Sequence, residues 1–275
     1  MNKKHNQNST TKKPKPTSIT NNHPSNIANN HILIYGKHPC ILAIKHRIIH
    51  QVFCSPNNEK LAKETLQQCN KSINLLKIVD NSFLDKLVGN NSLHQGIVIE
   101  ANKINIQDQF QLLQKLHNMQ EQQSALPNLL MLDQLCDPYN IGAIIRSAVA
   151  FGINHIVFSK HNSCPESATM IKSSAGNIEF THLFEATNFN DLLNKLKDLG
   201  YWSVALSING DCQLQDLHKY LPLAIVIGSE GFGIRKLVEK NCDLKINIPT
   251  NPQVESLNVS VATSILLHTI NEYSQ

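Results

Sequence analysis

Apolar residues fall along this chain in two rhythms. Short, nearly unbroken apolar runs at Leu129–Asp133, Ile156–Phe158, Trp202–Leu206 and Leu223–Ile227 read as strands buried on both faces, with a shorter strand at Leu244–Ile248. Between them, helical spacing marks Asn140–Phe151, which closes on Gly152, then 190–199, a stretch around 233–239, and a last helix from about Asn258 to Ile270. A polar loop is expected after Ile156–Phe158. Strands alternating with helices predict an α/β domain over 126–275, built on a mostly parallel sheet covered on both sides.

A second, smaller α/β unit is predicted over 31–100. Order begins near Ile32, Tyr35-Gly36 turns into a helix over Pro39–His46, and Gln51–Cys54 is a strand. A helix at 58–69, a strand at Leu75–Val79, a short helix at Ser82–Leu87 and a turn at His94 entering a strand at Ile97–Ile99 complete it. The Gln-rich stretch 101–125 reads as a linker that holds a helix, striped by Leu112, Leu113 and Leu116. Residues 1–30 have too few large apolar groups to offset the entropy of ordering and are expected to be a disordered tail.

Charge changes the picture only at that tail. Its five lysines, with no acid among them, exceed the formal net charge of +4 and leave the rest of the chain one charge negative. Composition alone therefore does not announce a nucleic-acid binder, and any basic patch must be assembled by the fold. Seven scattered cysteines without a CxxC pair read as reduced, mostly buried thiols, as in a cytoplasmic protein. Thirteen histidines form no HExxH or Cys/His cluster, so no metal is expected. No apolar run has membrane-spanning length.

Three segments could carry chemistry. In Asp133–Arg146, Asn140 can cap a helix, Gly142 permits close backbone approach, and the fork of Arg146 suits a phosphate. In Ile225–Ile234, three glycines directly after a buried strand let main-chain groups line a ligand cavity. Glu230 inside that run would repel a pyrophosphate, so a neutral or cationic ligand fits better. The glycines also come late in the domain, which disfavours a nucleotide-dependent oxidoreductase. In Ile248–Ser260, the short polar side chains of Ser256, Asn258 and Ser260 bracket the last helix as caps or as ligand donors.

Together these segments resemble the SpoU/TrmH family of RNA 2'-O-ribose methyltransferases. Asn140, Gly142, Arg146 and Phe151-Gly152 match its first motif; Gly228, Glu230, Gly231 and Gly233 its second; Ser256–Ser260 its third. Ser174-Ala-Gly176 resembles a family segment near the substrate side. Tyr35-Gly36 and His94–Val98 resemble the small ribosomal-protein-like domain of the branch that methylates a guanosine of 23S ribosomal RNA. The resemblance implies a SPOUT-like catalytic domain with a deep trefoil knot, S-adenosylmethionine held near Gly228, Ile248, Ser256 and Leu257, and a homodimer acting on ribosomal RNA. It further implies Arg146 as phosphate anchor and alkoxide stabiliser, positioned by Asn140, with Glu230 and Asn258 orienting the hydroxyl or the loops. A transfer-RNA substrate, or an RNA-binding protein without catalysis, are the alternatives. Asn251-Pro252 departs from the Ala-Gly pair common in that branch, and proline fixes φ and removes a donor at that point of the cofactor loop.

Overall fold

The computed structural model describes residues 30–273 except 162, 165, 209, 211, 254 and 255, so the basic tail lies almost wholly outside the described residues. The small domain contains β1 (His31–Tyr35), α1 (Lys37–His46), β2 (Ile49–Cys54), α2 (Glu59–Gln68), β3 (Leu76–Ile78), α3 (Asn81–Val88) and β4 (Ile97–Asn102). Its sheet runs β1-β4-β2-β3, antiparallel except for the β2–β3 pair. Alternation places Ile34, Val52 and Ile99 side by side in the buried core with Ala43 and Ala62 of the helices, while His31, Leu33 and Tyr35 stay half-buried.

The stretch read as a linker is built into the large domain. Gln107–Asp108 (β5) pairs parallel at a sheet edge, and Gln109–Glu121 (α4) starts from an Asp108/Gln111 capping box. Leu112 and Leu116 of α4 are completely buried in the large-domain core.

The large domain continues as β6 (Leu129–Asp133), α5 (Pro138–Ala150), β7 (His155–Ser159), α6 (Ala168–Ser173), β8 (His182–Ala186), α7 (Phe189–Asp198), β9 (Trp202–Leu206), β10 (Leu223–Gly228), α8 (Lys236–Asn241), β11 (Leu244–Ile246) and α9 (Val259–Tyr273). The seven strands are all parallel, in the order β11-β9-β10-β6-β7-β8-β5. The unbroken apolar runs follow from burial on two sides. Leu130, Leu132, Ile225 and Ile227 share one core with Ile144 of α5 and Leu266 of α9. Leu129, Met131, Ala224 and Val226 share the other with Leu192 of α7 and Val238 of α8.

Three expectations are corrected here. The segment after β7 is more than a polar loop, because it contains α6 and β8. The helix expected around 233–239 starts only at Lys236, since Gly231 and Gly233 hold positive φ. Only Cys40, Cys54 and Cys242 of the seven thiols are buried, and Cys136 is exposed.

Chain order sets the ligand crevice. From β6 the chain builds outward through β7 and β8, then returns to the other side for β9, β10 and β11, so β6 and β10 flank a topological switch point. Beyond β9 the chain crosses the end of β11. The Ser207 amide donates to the Ile246 carbonyl at 2.8 Å, the Cys212 amide to Lys245 at 3.0 Å. A side chain at Gly210 would lie 2.2 Å from the Ile246 carbonyl carbon.

The two domains share one continuous core and a buried ionic lock. Arg47, at the end of α1, pairs with Glu166 at 2.7 Å and Glu179 at 2.7 Å, and donates to the Asn102 carbonyl at 3.2 Å. Gly176 (φ +80°) ends the Ser174-Ala-Gly turn against Pro39 and Leu42 of α1, so this motif serves the domain junction.

Candidate active site

At the carboxyl end of β10 the backbone itself forms the wall of a cleft. A Cβ on Gly228 would lie 2.1 Å from the Gly233 carbonyl carbon, so only glycine lets these two strands of chain meet. Ser229 and Gly233 close the turn with reciprocal amide–carbonyl bonds of 3.1 and 2.9 Å, which require positive φ at Gly231 (+84°) and Gly233 (+66°). The turn is anchored behind by Arg235. Its amide and Nε donate to the two carboxylate oxygens of Asp133 at 2.9 and 2.8 Å, and Asp133 is wholly buried at the end of β6. Nη2 lies 2.6 Å from the same Oδ1 that Nε reaches, so the guanidinium covers one carboxylate oxygen and the backbone amide the other, which lets that carboxylate stay inside.

Asn258 ties three loops together. Its Oδ1 accepts from the Ser260 amide at 2.9 Å and so caps α9. Its Nδ2 donates to Asn140 Oδ1 at 3.0 Å and to Glu230 Oε1 at 2.6 Å. Glu230 Oε1 also accepts from the Val259 amide at 3.3 Å. Lower down, the Ser147 and Ser264 hydroxyls, 2.7 Å apart, fasten α5 to α9.

The cleft holds about 650 Å³, within the range of small-molecule sites. Gly228, Glu230, Ile248, Ser256, Leu257 and Asn258 all line it, and Asn140 reaches it through its bond to Asn258. Arg146 does not line it. It stands on the exposed side of α5 with no hydrogen bond or ion pair among the described residues. Two sequence expectations about Asn140 are therefore corrected. The cap of α5 is Asp137, whose carboxylate accepts from the Tyr139 and Asn140 amides at 3.1 and 3.3 Å ahead of Pro138. Nor does Asn140 hold Arg146, since its side-chain oxygen is engaged by Asn258. Gly142 serves close approach of a helix: a Cβ there would meet Met170 and Ser173 of α6.

Sequence reasoning missed the Asp133–Arg235 pair and Glu239, a cleft residue that accepts a hydrogen bond from the Ser207 hydroxyl. Asn251 and Pro252 stand outside the cleft wall, which includes Thr250 and resumes at Ser256. The Asn251 side chain accepts from the Gln253 amide at 3.0 Å, so the proline sits in a side-chain-stabilised turn. Glu230 and Glu239 face the cleft with Lys236 as the one cation among the described residues of its lining, so a neutral or cationic ligand fits better than a polyphosphate. Among the described residues no group of His, Cys, Asp and Glu could hold a metal ion, and no helix is long and apolar enough to cross a membrane.

Residues 127–268 match the SpoU rRNA Methylase family, and residues 33–107 match the RNA 2'-O ribose methyltransferase substrate-binding domain. The chain belongs to the SpoU family of RNA 2'-O-ribose methyltransferases. It is 33% identical over 238 residues to the 23S rRNA (guanosine-2'-O-)-methyltransferase RlmB of Shewanella oneidensis, covering 86% of this chain and 94% of that one. A Staphylococcus saprophyticus protein assigned to the TrmH family of tRNA/rRNA methyltransferases is 32% identical over 241 residues, covering 87% and 94%. Among solved structures, the SpoU methyltransferase AviRb of Streptomyces viridochromogenes, in complex with AdoMet, superposes with a TM-score of 0.71 at 20% identity over 88% of this chain and 90% of that one. This SpoU chain thus has the family's fold, with the substrate-binding domain locked onto the catalytic domain through Arg47.

Proposed function

We propose that this SpoU-family chain methylates the ribose 2'-hydroxyl of a guanosine in 23S ribosomal RNA, with S-adenosylmethionine as donor. The observation that carries the reading is the convergence on Asn258 of Asn140, Glu230 and the start of α9 at the rim of a backbone-walled cleft. Gly228, Ile248, Ser256 and Leu257 would hold the donor, and the two cleft carboxylates suit its positive sulfonium. When bound, that donor supplies an electrophilic methyl group. The residues must then orient the hydroxyl and manage its proton, because an unactivated ribose hydroxyl is a poor nucleophile near neutral pH.

Arg146 has a guanidinium that no other described side chain engages, which leaves it free to hold an RNA phosphate and to stabilise oxyanion character on the ribose. An arginine does not act as a conventional base, so the proton passes to a phosphate oxygen or to water. Glu230 and Asn258, each occupied by the other, keep the glycine turn and α9 in register. The 23S assignment is supported by the S. oneidensis relative, whose match includes the small domain. A transfer-RNA substrate is the second reading, supported by the S. saprophyticus relative. A homodimer that covers the half-exposed Val261 and Ile265 on α9 belongs to the same proposal.

The test is transfer of labelled methyl from S-adenosylmethionine to protein-free 23S ribosomal RNA and, in parallel, to bulk transfer RNA, with the label mapped to base or ribose. Ribose label in one guanosine of 23S RNA supports the proposal. Label confined to transfer RNA replaces the substrate, and label in neither, with donor binding intact, refutes catalysis on free RNA.

A further inference from the structure

The most exposed large apolar side chain of the described residues is Phe232, 95% accessible at the tip of the glycine turn. Next among these is Ile208, 75% accessible, and both line the mouth of the same cleft. A single exposed apolar residue needs no explanation, but two at one cleft mouth mark a contact surface. The backbone that carries Phe232 is also held in place. It sits between Gly231 and Gly233 inside the turn closed by the reciprocal Ser229–Gly233 bonds, and two residues before it Glu230 is fastened to Asn258. An aromatic ring thus projects from a braced turn, at a fixed distance along the chain from the polar rim. Lys236, exposed and without an ion pair among the described residues, lines the same cleft.

We propose that Phe232 is a stacking platform for an unpaired base of the substrate RNA next to the ribose that is methylated, with Lys236 meeting the adjoining phosphate. A flat apolar face beside a cation is the pairing by which proteins hold single-stranded RNA, since bases that leave a helix regain stacking on an aromatic side chain. A pocket for a protein side chain would need surrounding walls, whereas this ring has almost no neighbours. The inference rests on the reading of the cleft as a methyl-transfer site.

The experiment compares wild type with Phe232→Ala, Phe232→Leu and Phe232→Tyr in the full chain. Three quantities are measured: turnover on 23S and bulk transfer RNA, anisotropy binding of a labelled single-stranded RNA dodecamer, and S-adenosylmethionine affinity by calorimetry. Phe232→Ala should raise the RNA KM and the dodecamer Kd about 10-fold, the scale of one lost base–aromatic stack. Phe232→Leu should resemble Phe232→Ala, and Phe232→Tyr should stay near wild type, because the flat ring and not bulk is required. Donor affinity and sedimentation behaviour should not change. Unchanged RNA binding in Phe232→Ala overturns the proposal. So does a loss confined to donor affinity, which would place the ring on the donor, or a loss of self-association, which would place it in an interface. If wild type methylates neither RNA, the methyl-transfer reading fails, while the dodecamer titration still decides whether the ring binds bases.

Discussion

Replacing Asn258 by Asp separates its two duties. Asp caps a helix as well as Asn does, so the bond from the Ser260 amide survives. The Nδ2 donor is lost, and a carboxylate oxygen faces Glu230 Oε1 across a contact that is 2.6 Å in the native chain. Two unit charges at that distance repel by about 1.6 kcal/mol in a water-like dielectric, the appropriate limit for two exposed side chains. The lost bond to a charged acceptor adds about 1 kcal/mol after discounting for exposure. A deficit of about 2–3 kcal/mol at pH 7.5 should lower Tm by about 5–10 °C. The repulsion exists only while both carboxylates are ionised. The deficit is therefore smaller in acid, where the carboxylates are protonated and only the lost hydrogen bonds remain, than at pH 7.5. Asn258→Ala loses the cap and both donated bonds but creates no like-charge contact, so its deficit should vary less with pH than that of Asn258→Asp. Calorimetric scans of both variants and wild type at pH 4.5 and 7.5, taken as differences from wild type at each pH, decide the matter. An Asn258→Asp deficit that is the same at both values, or absent at pH 7.5, would refute the account of Asn258 as the donor that joins Asn140 to Glu230.

Three other perturbations have defined outcomes. Arg146→Ala should reduce turnover at least about 100-fold, the scale of one lost transition-state donor, while calorimetric affinity for S-adenosylmethionine stays near wild type. Arg47→Ala strands Glu166 and Glu179 at the domain junction and should cost about 3–5 kcal/mol in urea unfolding; adding Glu166→Gln and Glu179→Gln should restore much of it. Burial, with Lys115 and His182 nearby, holds His155 down to about 4. Below an unfolded value near 6.5 the unfolded chain takes up a proton that the native chain refuses, so stability falls as pH drops from about 6.5 to about 4. His155→Phe, beside Phe184, should flatten that limb by up to about 3 kcal/mol, read from urea unfolding at pH 7.5 and 4.5.

What the sequence displays depends on how local the cause is. β6 and β10 are legible because burial on both faces makes them unbroken apolar runs up to their last residues, Asp133 and Gly228. Helix α6 is six residues long, less than two turns, and cannot show a 3.6-residue period. The β8 sequence His182–Ala186 begins with an exposed histidine and includes a half-buried glutamate, so its apolar signal is two or three residues long. The Asp137-Pro138 start of α5 was readable, because Pro at the first helical position after Asp is a start signal as strong as the Asn140 reading. The Asp133–Arg235 pair had no local signal at all, since 102 residues separate its members. Motif residues fared best where the backbone needs them: Gly228, Gly231 and Gly233 are fixed by close approach and positive φ.

The groups in and around this cleft divide by what already satisfies them. Glu230, Asn258, Asn140, Asp133 and Arg235 spend their hydrogen bonds on one another or on the backbone, and each joins elements distant in sequence. Such groups give geometry, because breaking any one bond leaves a partner unsatisfied at a site where loops must stay in register. Arg146, Lys236 and Phe232 have the opposite character: charge or aromatic surface turned to solvent, without hydrogen-bond or ion-pair partners among the described residues. On the proposed reading, the partners of groups left open in this way arrive with a phosphate and a base. On this division, mutation of the bonded set should act first on stability and donor binding. Mutation of the open set should leave the fold intact and act on RNA binding and turnover. The contrast between Asn258→Asp and Arg146→Ala measures it directly, the first through Tm and the second through catalysis at an unchanged Tm.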